Sequence, residues 1–161
     1  MNENARQLAE AMAAKMRKIL ERGEEAMAVC LAIRSQGKPP MLIGLPMPNE
    51  QSKDMAALAM HALESQPDIE YILFLSDAWT AKLKGDAREV YQEYGSVQAI
   101  PGRQEAIIAS VFGRNHLTEL GQWIYERVHG KLVFSPAMEW IVPDSAEGRF
   151  VGGHATTKGV Q

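Results

Sequence analysis

The chain is poor in cysteine, since Cys30 is the single one among 161 residues. One cysteine forms no internal disulfide and begins no thiolate metal cluster. Cys30 lies in an apolar run, where a buried and inert thiol is the more common interpretation. These features fit a reducing compartment, and we predict a cytoplasmic location.

Long apolar runs are also missing from the sequence. No stretch approaches the roughly 18 apolar residues of a membrane-spanning helix. Charged residues such as Glu3, Arg6 and Glu10 interrupt the N-terminal region, which therefore does not resemble a secretory signal. We expect no membrane partner.

The chain has no excess of basic residues, because its formal net charge is -3 and its lysines and arginines are spread along the sequence. Nucleic-acid binding draws much of its free energy from counterion release by clustered cations. The densest basic stretch, residues 15–18, lies beside several glutamates on a predicted helix and is typical of a solvated face. We expect no nucleic-acid partner.

Specific catalytic and cofactor motifs are absent as well. No pair of histidines has the i, i+4 helical spacing of a metal site, and no serine lies in a Gly-x-Ser-x-Gly turn. The Gly152-Gly153 pair has no strand before it and no helix after it to make a phosphate loop. The sequence predicts no metal and no cofactor.

The first segment present is an amphipathic helix. Over about residues 3–22, apolar side chains recur at three- and four-residue spacing and charges occupy the opposite side. Gly23 ends this helix, because glycine is common just beyond a helix C-terminus.

A second helix is predicted to begin after Asn49, as its N-cap, and to end at Gln66 before Pro67. Its apolar residues follow the i, i+3, i+4, i+7, i+8 pattern of a helix with one buried stripe. The residues of that stripe are Met55, Leu58, Ala59, Ala62 and Leu63.

Short β-prone runs make up most of the remainder. They occupy residues 26–34, 41–45, 69–79, 105–112, 122–128 and 131–134. The last two flank His129 and Gly130, an acceptable tight turn. No long helix separates the last four runs, which favours an antiparallel meander over a doubly wound sheet.

The fold class is therefore α+β. We predict a mainly antiparallel sheet of about five or six strands with two long helices packed on one face. Residues 1–150 are expected to form one domain, with Phe150 among the last residues that pack. The segment 151–161 is expected to be a flexible C-terminal tail.

The connection over residues 80–102 is longer than the roughly 12 to 15 residues of most unstructured loops. It is therefore expected to carry its own structure or a functional role. The stretch from Asp86 to Tyr94 has the pattern of a short helix, and an ordered flap is the alternative.

A polar cluster is predicted where the strand over residues 69–79 ends and the next strand begins. If these strands pair directly, Asp77 and Arg103 meet at one rim of the sheet and form an ion pair beside Trp79, with Glu105 close by. In the functional interpretation this rim binds a ligand or supplies an acid or base. In the structural interpretation, which is the more common, the ion pair anchors the long connection.

These residues also carry a resemblance. Ser76-Asp77-Ala78-Trp79 ends one apolar strand, and Pro101-Gly102-Arg103-Gln104-Glu105 precedes the next. The arrangement resembles an uncharacterised family of small prokaryotic proteins, in which a Ser-(Asp/Glu)-Ala-Trp strand end is followed by a Pro-x-Arg-x-Glu segment. Asp77 stands where that family more usually has glutamate. The resemblance implies that the two strands form one unit, and it implies no reaction.

Three aromatic residues near the C-terminus have two interpretations. Trp123 and Tyr125 alternate onto one face of a predicted strand, and Trp140 lies on a neighbouring segment. If a helix covers this face they belong to the core. If the face is exposed, it is an interface for another protein or for a second copy of the chain.

Two function hypotheses follow. The first is a non-catalytic accessory or protein-interaction domain that pairs with itself as a homodimer or with another protein. The alternative is a small-molecule-binding domain or enzyme that uses a cleft near Asp77, Trp79 and Arg103. The sequence alone does not decide whether the protein is an enzyme.

Overall fold

The computed structural model describes residues 3–46, 49–81, 92–95, 99–113 and 116–142. The elements follow the order helix, two strands, helix and five strands. Their bounds are α1 Glu3–Glu21, β1 Ala28–Arg34, β2 Met41–Leu45, α2 Glu50–Glu64, β3 Ile69–Thr80, β4 Gln104–Gly113, β5 His116–Val128, β6 Lys131–Phe134 and β7 Glu139–Ile141.

All seven strands belong to one sheet with the spatial order β2-β1-β3-β4-β5-β6, and β7 pairs with β5. Each neighbouring pair is antiparallel. This architecture confirms the predicted α+β class. It also confirms the central pairing of β3 with β4, in which Trp79 lies opposite Glu105.

The C-terminal half of the sheet is longer than the sequence predicted. β5 begins at His116 and not near residue 122, and β7 was not predicted. The start of β5 was missed because Gly121 interrupts its β-prone pattern. β7 was missed because its three residues are too few to show strand periodicity. The predicted His129-Gly130 turn is confirmed, because both residues have positive φ, as a tight hairpin turn of this kind requires.

The two helices do not share one face of the sheet. The buried side of α1 clusters with Leu73 and Leu75, whereas the buried side of α2 clusters with Ile72 and Phe74. Successive side chains of a strand point to opposite faces, so α1 and α2 cover opposite faces of β3. The predicted packing of both helices on one face is not confirmed.

The predicted start of α2 is confirmed, but the predicted buried face is not. Asn49 caps the helix, since its side chain accepts a hydrogen bond from the Ser52 amide at 2.8 Å. The predicted buried stripe is wrong for most of its members, because Met55 and Leu58 are 64% and 66% exposed. The residues that α2 buries instead are Ala56, Ala57, Met60 and Glu64, with Leu63 partly buried beside them.

Some predictions concern residues outside the described ranges. Most of the stretch from Asp86 to Tyr94, Phe150 and the predicted tail over 151–161 lie there. The extent of the domain stays a prediction. Among the described residues, no helix combines the length and the apolar character needed to cross a membrane.

Candidate functional site

The candidate site lies at the rim of the sheet where β3 ends and β4 begins. Strand alternation places Asp77, Glu105 and Tyr125 on the face that α1 covers. The Tyr125 hydroxyl donates a hydrogen bond of 2.6 Å to Asp77 Oδ1. Tyr125 is only 2% exposed, so this donor is fixed by the core and orients the Asp77 carboxylate.

Arg103 does not form the predicted ion pair with Asp77. Its guanidinium carbon lies 4.7 Å from the centre of the Trp79 ring, in cation–π geometry. Arg103 precedes β4 and follows Gly102, which has a positive φ of 78°. Arg103 thus stacks on Trp79, whereas Asp77 accepts a hydrogen bond from Tyr125.

Glu105 has a partner that sequence reasoning missed. Arg127 on β5 donates to both Glu105 oxygens, at 2.8 and 3.1 Å. The two residues occupy neighbouring strands, since Glu105 lies opposite Tyr125 in the β4–β5 ladder. Once the β5 register is known, this pair is expected as a cross-strand neighbour.

The surroundings perturb the two hydrogen-bonded groups. Burial raises the pKa of Asp77, and the hydrogen bond from Tyr125 offsets part of that rise. Burial, together with the bond to Asp77, raises the pKa of Tyr125. Tyr125 therefore acts as a hydrogen-bond donor and not as a proton donor at neutral pH.

A cleft of about 530 Å³ adjoins Asp77. It opens where β1 begins, β2 ends and β3 continues past both. Asp77 and Ser76 line it from β3, Lys53 from α2, and Glu25 and Met27 from the segment before β1. Trp79 and Arg103 lie further along the same rim. The structure thus places Asp77 in a cleft and Arg103 outside it.

The three aromatic candidates lie under α1. Tyr125 belongs to the buried cluster that α1 covers, and Trp123 and Trp140 pack against that cluster. Trp140 also donates from Nε1 to Glu10 of α1 at 3.0 Å, and the guanidinium of Arg17 lies 5.1 Å from the Trp123 ring. This arrangement supports their interpretation as core.

Besides exposed residues such as Leu42 on β2 and Val133 on β6, one exposed apolar surface lies on the outer side of α2. Met55 and Leu58 project there with Ala59 and Ala62. These four residues are defined here as the outer face of α2. Its periodicity is present in the sequence, but periodicity does not tell whether an apolar stripe faces a core or a partner.

The inner side of α2 carries a buried acid. The Glu64 side chain is 2% exposed, and His61 Nδ1 lies 3.6 Å from Glu64 Oε2. Burial raises the pKa of Glu64 to about 7. Burial, helped by the nearby Glu64 charge, raises the pKa of the Cys30 thiol to about 11, as expected of an unreactive cysteine.

Within the described ranges, no three histidine, cysteine or acidic side chains are grouped closely enough to hold a metal ion. No protein-family model, curated protein or solved structure matches this chain. The resemblance to the small prokaryotic family therefore stays a prediction.

Proposed function

We propose that this protein is an interaction domain and that the outer face of α2 pairs with the same face of a second copy. The observation that carries the proposal is the exposure of Met55 and Leu58, at 64% and 66%. Large apolar side chains at helical spacing on a solvent-facing stripe are typical of a partner-binding surface.

The free energy of burial supports pairing. Removing a methionine or leucine side chain from water contributes about 1.5 to 3 kcal/mol. The inner side of α2 buries two alanines, one methionine and one glutamate, with Leu63 partly buried beside them, so two of the four larger apolar side chains of this helix, Met55 and Leu58, are left outside. A partner helix would cover them.

The outer face is self-complementary in an antiparallel pair. A two-fold axis passing between positions 58 and 59 sets Met55 of one copy against Ala62 of the other, and Leu58 against Ala59. Each large side chain then meets a small one, which allows the two helices to approach closely.

The face lies directly away from the sheet. At 100° per residue, the centre of the outer face is opposite the side that carries Met60 and Glu64, which the sheet buries. A second α2 therefore approaches without displacing α2 from its own core. Two copies joined in this way form a closed, isologous dimer.

Analytical ultracentrifugation of the wild type, L58E and L42E tests the proposal. Leu58 and Leu42 are both 66% exposed, but Leu42 lies opposite Leu31 in the β1–β2 ladder, on the face that α1 covers. The wild type and L42E should dimerise as concentration rises, and L58E should remain monomeric. A monomeric wild type, or a dimer that tolerates L58E, contradicts the proposal.

A second candidate function is small-molecule binding at the Asp77 cleft. It is favoured because Arg103 is not paired with Asp77 and because the cleft volume of about 530 Å³ lies in the usual range of ligand pockets. Titration with small charged probes, followed by amide chemical shifts at Ser76 and Asp77, tests it. No saturable shift with any probe would contradict it.

A further inference from the structure

The cleft beside Asp77 results from a mismatch in strand length. The β1–β3 ladder ends at the pair Val29 and Leu75, whereas β3 continues against β4 as far as Thr80. The side of β3 that faces away from β4 therefore lacks a neighbouring strand beyond Leu75 among the described residues. The cleft occupies this position.

The charges that line the cleft favour a cation. Glu25 and Asp77 contribute two carboxylates, and Lys53 contributes one ammonium group. Their formal sum is one negative charge.

Asp77 is held in a fixed orientation with one oxygen available. Tyr125 occupies Oδ1 through the 2.6 Å bond, and Tyr125 is itself packed against Phe134 with ring centres 4.7 Å apart. The structure gives Oδ2 no hydrogen-bond partner among the described residues. A carboxylate positioned by the core in this way loses little entropy when it binds a donor.

Apart from Ser76, the rest of the cleft is apolar. Met27, Ala28, Leu45 and Pro46 form its wall, and Met27 is 56% exposed. A flexible, exposed methionine adapts to an alkyl chain and gains from covering it. The cleft therefore combines an anionic end with a wall suited to a short hydrocarbon chain.

We propose that the cleft binds the ammonium group of a small alkylamine, with the ammonium donating to Asp77 Oδ2 and the alkyl chain lying on Met27 and Leu45. Glu25 supplies the second carboxylate of the site. This inference rests on the second candidate function, and it is independent of the pairing of α2.

The test is a titration of the full chain with n-butylamine, sodium butyrate and butanol at neutral pH, followed by amide chemical shifts. n-Butylamine should give saturable shifts at Ser76 and Asp77, and butyrate should give none. D77N keeps an oxygen for Tyr125 but removes the charge, so it should weaken n-butylamine binding about tenfold or more. Thermal melts of D77N establish that the variant is folded.

E70Q is the matched control, because it removes one carboxylate charge from the opposite end of the same strand. It should bind n-butylamine like the wild type. Equal affinity of D77N and the wild type for n-butylamine would overturn the inference. Binding of butyrate or butanol in place of n-butylamine would overturn the amine assignment and leave a ligand site, whereas no binding of any probe would also remove the second candidate function.

Discussion

Substitution of the buried Glu64 by glutamine should make the protein more stable in alkaline solution and reduce its pH dependence. In the folded state burial raises the pKa of Glu64 to about 7, from 4.5, because the side chain is 2% exposed. Both carboxylate oxygens lack a hydrogen-bond partner among the described residues. Ionisation of Glu64 therefore destabilises the folded state.

The sign of the effect follows from proton binding. Below pH 4.5 Glu64 carries its proton in both states and costs nothing. Between that pH and about 7 the unfolded chain releases the proton while the folded chain keeps it, so stability falls as pH rises. A pKa step of one corresponds to about 1.4 kcal/mol, which makes the full loss about 3 kcal/mol once the pH exceeds the folded pKa.

Urea unfolding of the wild type, E64Q and E70Q at pH 5, 6, 7 and 8, at one protein concentration, measures this loss. The other titratable groups are common to E64Q and the wild type, so the difference between these two proteins isolates Glu64. E64Q should gain about 2 to 3 kcal/mol over the wild type at pH 8 and little at pH 5. E70Q, which removes an exposed carboxylate, should follow the wild type. Parallel pH profiles for E64Q and the wild type would refute the reasoning.

Two further predictions concern the α1 side of the sheet. An added Cβ at Gly121 would lie 3.0 Å from the Trp140 ring. G121V should therefore lower the free energy of unfolding, measured in urea, by about 1 to 3 kcal/mol. Unchanged stability would contradict the close packing of Trp140 on Gly121. Arg6 donates to the buried Glu119 at 2.9 Å, so R6M should cost about 3 to 5 kcal/mol because it leaves a buried charge unpaired. The double variant R6M/E119M should recover most of that loss, and a double variant no more stable than R6M would contradict the explanation.

Much of the sheet was predictable from the sequence. The apolar runs that became β3 and β4, and the long connection between them, predict their direct antiparallel pairing, because each run is bounded by polar or turn residues. His129 and Gly130 predict the β5–β6 turn by their tolerance of positive φ. The short β7 was missed because three residues carry no periodicity.

The faces of the helices were not predictable. α2 contains two apolar stripes, one with Met55 and Leu58 and one with Ala56 and Met60, and periodicity does not decide which of them faces the sheet. The larger side chains favour the first stripe, but the structure buries the second. Only the tertiary structure shows that the stripe with Met55 and Leu58 is the exposed face of α2.

The polar rim was predicted in composition and not in its pairs. Asp77, Trp79, Arg103 and Glu105 do gather where β3 ends, as the β3–β4 register requires. Their partners depend on β5, which supplies Tyr125 for Asp77 and Arg127 for Glu105. The sequence prediction considered only the pairing of β3 with β4, so it could not identify partners that β5 supplies.

Chemical cross-linking at Ala59 tests the pairing of α2 most directly. In a C30A background, A59C places the only thiol at the centre of the outer face, where two copies bring their residue 59 close together across the two-fold axis. A short bismaleimide should join two copies of this variant, with little product from E70C in the same background. Equal yields from A59C and E70C, or no cross-linked dimer from A59C, would contradict the proposal that this face pairs two copies of the chain.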